Sequence, residues 1–312
     1  MPLHPQVVES MKKLEALGLP ALTEITPQQA RINSTISREA IPVEKEPVGS
    51  IEDRMIPGPA GDIPIRIYRP AGISNPPLIM LYHGGGWVVG DLESEDATCR
   101  GLCRRVGAVV ISVDYRLAPE TRYPGAVEDC YAATEWAVKN ATELGIDASR
   151  IATSGTSAGG NLSGAIAQMA RDKGGPSITH QVLFCPVIDA DFDRKSYIAN
   201  ATGYGLTREG MMWFWDQYTG TGNARFEPYA SLIRANSLSG LPPATIIAAE
   251  YDPLVDEAVA YADALKAAGV STTCTVYEGM THGFNGRIGV FDAARDAIEE
   301  AAAGIRKSFA TG

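Results

Sequence analysis

Apolar residues at Val7, Met11 and Leu14, with lysines and glutamates between them, predict an amphipathic helix over residues 7–17. A polar, proline-punctuated passage follows to about Gly49, and no element is predicted in it. Residues 51–56 and 63–68 read as two strands joined by the turn-rich Pro57-Gly58-Pro59-Ala60-Gly61-Asp62, an antiparallel hairpin. From Leu78 onward the texture changes to short, continuously apolar runs at 78–82, 108–113, 150–154, 181–184, 245–249 and 272–277. Runs of this kind are buried parallel strands, because both faces of such a sheet are covered. Between them, residues 95–106, 126–140, 158–171, 255–268 and 292–309 carry the Ala, Leu, Glu and Lys content of crossover helices. The expected fold is α/β: a mostly parallel, eight-stranded open sheet flanked by helices on both faces. One insertion, residues 189–234, interrupts the alternation and gathers Tyr204, Met211, Met212, Trp213, Phe214, Trp215 and Tyr218. It reads either as an ordinary helix with aromatic core contacts or as a lid over the carboxyl ends of the strands, where open α/β sheets put their ligands.

The 312 residues are 45% hydrophobic and 21% charged, which fits one globular core with an appendage and gives no sign of disorder. A formal charge of −10 argues against a nucleic-acid partner, since phosphate binding needs a basic face. No apolar run reaches the length of a membrane span. The start, Met-Pro-Leu-His, lacks the basic and apolar regions of a signal peptide, so the expected location is the cytoplasm. Cys99, Cys103, Cys130, Cys185 and Cys274 are expected to be buried free thiols. Cys99 and Cys103 share a helical spacing, but no second pair or histidine completes a metal set, and neither metal nor cofactor is expected.

The chemistry concentrates in Gly155-Thr156-Ser157-Ala158-Gly159, which follows a strand-like run and opens a helical one. In isolation Gly-x-Ser-x-Gly is a common turn. In this context it reads as a nucleophile elbow, with glycines flanking a turn too tight for side chains and Ser157 exposed at its tip. A serine hydroxyl needs a base to take its proton. Of four histidines, His4 is terminal, His180 precedes a buried strand and His83 begins a glycine run, which leaves His282 in the loop before the final helix. A carboxylate must hold that imidazole in one tautomer. Asp252, in Glu250-Tyr251-Asp252-Pro253-Leu254 just past a strand end, is favoured over its neighbours Glu250 and Asp256. The order Ser157, Asp252, His282 is that of α/β-hydrolases. Gly84, Gly85 and Gly86 after a strand, with the N–H of Ala158, meet the demand for backbone donors to an oxyanion. A phosphate loop is the poorer reading, because no Lys-Ser/Thr follows the glycines.

His83-Gly84-Gly85-Gly86-Trp87, Asp114-Tyr115-Arg116-Leu117-Ala118-Pro119-Glu120, the elbow, Asp252-Pro253-Leu254 and His282-Gly283-Phe284 together resemble the bacterial hormone-sensitive lipase family of esterases, over most of residues 50–312. Thr156 stands where many members have Asp, which is similar to the Gly-Thr-Ser-Ala-Gly subgroup. The resemblance implies an α/β-hydrolase fold with a helical cap: residues 1–49 as its N-terminal part, 50–188 as the first part of the core, 189–234 as the cap insertion and 235–312 as the rest of the core. It implies Ser157, Asp252 and His282 as a triad and Gly85, Gly86 and Ala158 as oxyanion donors. The implied partner is a small-molecule ester; dimers are frequent in similar enzymes, and the oligomeric state stays open.

The expected reaction is acyl transfer from short- to medium-chain esters through Ser157. Trp87, Tyr204, Met211 and Trp215 are the expected walls of an apolar acyl site. A non-catalytic ligand receptor on the same scaffold would lack the histidine that His282 supplies, and a peptidase would share the triad. An epoxide hydrolase or dehalogenase would carry aspartate at the position of Ser157.

Overall fold

A computed structural model describes residues 2–311. Its elements in chain order are α1 (Pro5–Glu15), α2 (Pro27–Ala40), β1 (Ser50–Gly58), β2 (Gly61–Arg69), β3 (Pro77–Tyr82), α3 (Asp96–Val106), β4 (Val109–Val113), α4 (Gly125–Lys139), α5 (Ala141–Leu144), β5 (Asp147–Thr156), α6 (Ala158–Lys173) and β6 (Ile178–Phe184), then α7 (Lys195–Ala199), α8 (Arg208–Thr219), β7 (Ala244–Tyr251), α9 (Val255–Ala267), β8 (Thr272–Thr281) and α10 (Asp292–Thr311). The strands form one sheet in the order β1-β2-β4-β3-β5-β6-β7-β8. The β1–β2 hairpin and the β2–β4 pair are antiparallel, and every pair from β4 to β8 is parallel.

Why β3 is an unbroken apolar run follows from where its side chains go. Leu78, Met80 and Tyr82 enter the core on one face, with α4, α6 and α9, while Ile79 and Leu81 enter the other, with α3 and α10. Both faces are dry, so no position on the strand is left for a polar residue. The parallel arrangement puts the carboxyl ends of β3, β5, β7 and β8 on one rim, and the loops carrying Gly84, Ser157, Asp252 and His282 all leave from it.

Two expectations change. Strand β8 lies at the sheet edge, and its first seven residues are exposed or half-buried, because only one strand neighbours it. The passage before Gly49 contains the fourteen-residue helix α2, started by Thr26, whose hydroxyl accepts from the N–H of Gln29, and by Pro27. Its apolar pattern is inverted: Ala30 and Asn33 are buried while Ile32 and Ile36 face outward, so periodicity could not announce it. All five cysteines are free, four buried and Cys274 half-buried at the edge strand.

Candidate active site

Ser157 sits between the end of β5 and the first residue of α6 with φ +60° and ψ −118°, a conformation costly for a residue bearing a side chain. The fold holds it there. Its N–H donates to the Phe184 carbonyl (2.8 Å), and its own carbonyl accepts from Asn161 (3.0 Å) and Val187 (3.2 Å). A methyl group on Gly155 would lie 2.2 Å from the Gly159 oxygen, and one on Gly159 would lie 1.9 Å from the Tyr82 oxygen. The turn therefore closes only with hydrogen at both positions. The N–H of Ala158, as the first of α6, has no acceptor within the helix.

His282 follows β8, and its Nδ1 is 2.7 Å from Oδ2 of Asp252. Asp252 is 1% exposed, and its Oδ1 accepts from the N–H of Leu254 (2.9 Å). The second carboxylate bond fixes the rotamer that meets the imidazole. Neighbouring acids are engaged elsewhere: Glu250 accepts from the N–H of Gly279 (2.7 Å) and Asp256 from that of Ser196 (2.8 Å). The other histidines have local partners too. His4 caps α1, His180 lies between Ser308 and Thr245, and His83 bonds the Gly84 oxygen and stacks on Tyr115 at 4.2 Å. Burial lowers His83 and His180 to about 4, so both are neutral at neutral pH.

The loop after β3 bends through Gly85 (φ +113°) and Gly86 (φ +57°), where a side chain would strike Val89 and the Phe214 ring respectively. A methyl on Gly84 would come within 2.9 Å of the Thr156 oxygen, so the loop lies directly against the elbow. Among the described residues no backbone carbonyl accepts from the N–H of Gly85 or Gly86. Beside this loop Glu95 is a carboxyl buried at the start of α3, where desolvation raises its pKa and Thr98, Thr156 and Gly84 oppose the rise. Thr156 accepts a bond from Asn285 Nδ2 (2.9 Å). Neither the bond from the loop after His282 to the elbow nor the buried carboxyl of Glu95 was foreseen from sequence, since Glu95 and Asn285 lie outside any recognisable spacing.

Ser157, His282, Gly84 and Gly85 line one cavity of about 590 Å³. Its outer wall comes from α2 and the residues after it, Ser34, Ser37, Arg38, Pro42 and Val43 among them. None of the four expected acyl-site residues is in that wall. Trp87 and Trp215 are fully buried, Met211 is buried, and Tyr204 packs on Tyr251 at 4.8 Å. Trp87 stacks on Tyr218 at 4.1 Å and tilts against Trp215 at 5.0 Å, so the aromatics of α8 brace the glycine loop from behind. As for metals, donor atoms of Cys185, Asp252 and His282 lie within 4.8 Å of one another. Nδ1 and Oδ2 are already bonded to each other, and burial pushes the Cys185 thiol well above its usual pKa, leaving a poor ligand set. Cys99 and Cys103 are likewise buried, Cys103 being pushed up to about 12.

The chain is similar to several known proteins. A profile of the α/β-hydrolase fold matches residues 79–286. The carboxylic ester hydrolase LipN of Mycobacterium tuberculosis is 46% identical over 75% of this chain and 64% of its own length. An arylesterase of Saccharolobus solfataricus is 39% identical over 92% and 93% of the two chains. The crystal structure of a hyperthermophilic esterase from Pyrobaculum calidifontis superposes with a TM-score of 0.93, at 40% identity and full coverage of both chains. A glycine-braced strand-to-helix serine, the Asp252–His282 pair on the same rim and these likenesses lead to one assignment: the chain belongs to the hormone-sensitive-lipase-like family of α/β-hydrolase carboxylesterases.

Proposed function

We propose that the protein is a serine carboxylesterase that cleaves short- to medium-chain acyl esters through an acyl-enzyme. The observation that carries this reading is the 2.7 Å bond from His282 Nδ1 to Asp252, which turns Nε2 away from the carboxylate while His282 and the strained Ser157 share one cavity. In the first step Oγ of Ser157 bonds to the ester carbonyl carbon and His282 Nε2 takes its proton. The N–H groups of Gly85, Gly86 and Ala158 receive the oxyanion. The C–O bond to the alcohol then breaks, and the imidazolium returns the proton to the leaving oxygen. Water, deprotonated by His282, releases the acid and restores Ser157.

Thr156 within Gly155-Thr156-Ser157-Ala158-Gly159 supports reading the chain as one of the Gly-Thr-Ser-Ala-Gly subgroup. Residues 1–49 and 189–234 form the cap over a core of 50–188 and 235–312. Within it α2 supplies the substrate-facing wall, and Trp87, Met211 and Trp215 hold the loop behind it. The cavity volume and the aryl esters in the name of the Saccharolobus solfataricus relative support small esters over lipids. Five unpaired thiols suit a reducing compartment such as the cytoplasm.

Fluorophosphonate labelling with mass mapping, alongside turnover of 4-nitrophenyl butyrate, tests the reading. Label is expected on Ser157 alone, with turnover in Ser157→Ala reduced by about 10⁴-fold or more. Undiminished turnover in that variant would rule the mechanism out.

A further inference from the structure

The cavity that holds Ser157 carries several charged side chains, and most of them are matched. Arg38 is bonded to Asp91 at 2.8 Å, and Lys45 lies 3.2 Å from Asp96 and 3.4 Å from Glu93. Glu93 also receives Arg66 at 2.5 Å, and Asp96 receives Arg100 at 2.9 Å. Arg287 differs from these. It stands five residues after His282 on the same loop and contributes to the cavity wall beside Ser157 and His282. Among the described residues its guanidinium takes part in no side-chain hydrogen bond or ion pair.

Removal from water disfavours that charge, and desolvation lowers the pKa of Arg287 from the usual arginine range. The acid whose field reaches it is Glu95, which does not come within ion-pairing distance. Glu95 is itself raised by burial, and its Oε2 is buried without a hydrogen-bond partner, so it is a weak counter-charge. Arginine remains protonated in such a site. A partly dehydrated, unmatched guanidinium in the wall of the cavity that holds Ser157 is thus a five-donor fork without an acceptor, the group best shaped to receive a carboxylate.

We propose that Arg287 is a specificity-determining residue that binds a carboxylate borne by the substrate, so that hemiesters of short dicarboxylic acids are cleaved in preference to neutral esters of the same length. The inference rests on the serine-esterase reading above and names the substrate class of that site. The net charge of −10 repels anions at long range, so any preference for them has to arise from contact inside the cavity.

The measurement is the ratio of kcat/KM for mono-4-nitrophenyl succinate to that for 4-nitrophenyl butyrate, in the wild type, Arg287→Met and Arg287→Lys. The ratio is expected to fall by about tenfold or more in Arg287→Met, the scale of one charge-assisted contact, and by less than about threefold in Arg287→Lys. An unchanged ratio in Arg287→Met overturns the proposal. A wild-type measurement covers the case in which that variant does not fold: succinate should inhibit butyrate-ester hydrolysis at lower concentration than succinamate, which lacks one charge. Equal inhibition by the two also overturns it. No turnover of either ester would instead count against the esterase reading, whereas turnover of the butyrate ester with an unresponsive ratio counts against Arg287 alone.

Discussion

The two oxygens of Asp252 have separate tasks, Oδ1 accepting from the N–H of Leu254 at 2.9 Å and Oδ2 from the imidazole at 2.7 Å. In Asp252→Asn one of these acceptors becomes an NH₂ group. Because Leu254 N–H demands an oxygen, the amide presents its nitrogen to His282, which then carries its proton on Nε2 and can no longer act as base. A fall in kcat of about 10⁴-fold is expected, with little change in Tm, from assays on 4-nitrophenyl butyrate and thermal unfolding of the same preparation. Asn285 poses a different case. Its Nδ2 bonds Thr156 at 2.9 Å in fully buried surroundings, and its Oδ1 is without a partner. Asn285→Ala strips the Thr156 hydroxyl of a donor beside a buried Glu95, and a loss of about 1–3 kcal/mol in urea-unfolding free energy is expected.

Among elements, the junction of β5 and α6 is set by backbone contact. The hydrogen of Gly159 faces the Tyr82 carbonyl, and an added methyl at 1.9 Å could be relieved only by moving the helix off the sheet. Gly164, one turn further along α6, would place a methyl 2.4 Å from the end of the Leu232 side chain, which can rotate away. Gly159→Ala is therefore expected to cost more than about 4 kcal/mol or to prevent soluble expression, while Gly164→Ala stays within about 3 kcal/mol; soluble yield and urea midpoints compare the two. The same local rules explain what could be read in advance. Strands β3 to β7 are legible because two dry faces force mostly apolar runs, Ser157 and Asp252 are legible as candidates because each follows such a run, and His282 is legible because it follows the last strand in the order the fold requires. Helix α2 is not legible: Ile32 and Ile36 point outward, Asn33 points inward, and what the helix contributes is a cavity wall. Trp87 and Trp215 are fully buried outside the cavity wall, since large aromatics signal burial as readily as ligand contact.

At the scale of the whole molecule, the sheet and the C-terminal helix are joined through a neutral histidine. His180 on β6 lies between Thr245 of β7 (3.0 Å from Nε2) and Ser308 of α10 (2.9 Å from Nδ1), at 3% exposure. Close approach of α10 depends on Gly304, where a methyl would lie 2.3 Å from the Thr245 hydroxyl and 3.1 Å from the imidazole. Hydroxyls can donate to one ring nitrogen and accept from the other, so the neutral ring is satisfied, whereas the imidazolium would hold its charge away from water. Burial accordingly lowers its pKa from 6.5 to about 4. The unfolded chain therefore binds a proton as pH drops through 6.5 while the folded chain does not until about 4. Stability from this group is fully present above pH 6.5 and lost progressively below it. Between pH 7.5 and 5.0 that loss amounts to roughly 2 kcal/mol by linkage. Other groups titrate in the same interval, among them Asp114, whose pKa burial raises to about 6 and which acts in the opposite direction. The sign is therefore read by difference. Urea unfolding of the wild type should lose roughly 2 kcal/mol more over this interval than His180→Gln, which starts less stable but has no imidazole to protonate. Parallel slopes for the two proteins would mean that α10 and the sheet are not held together by a neutral ring.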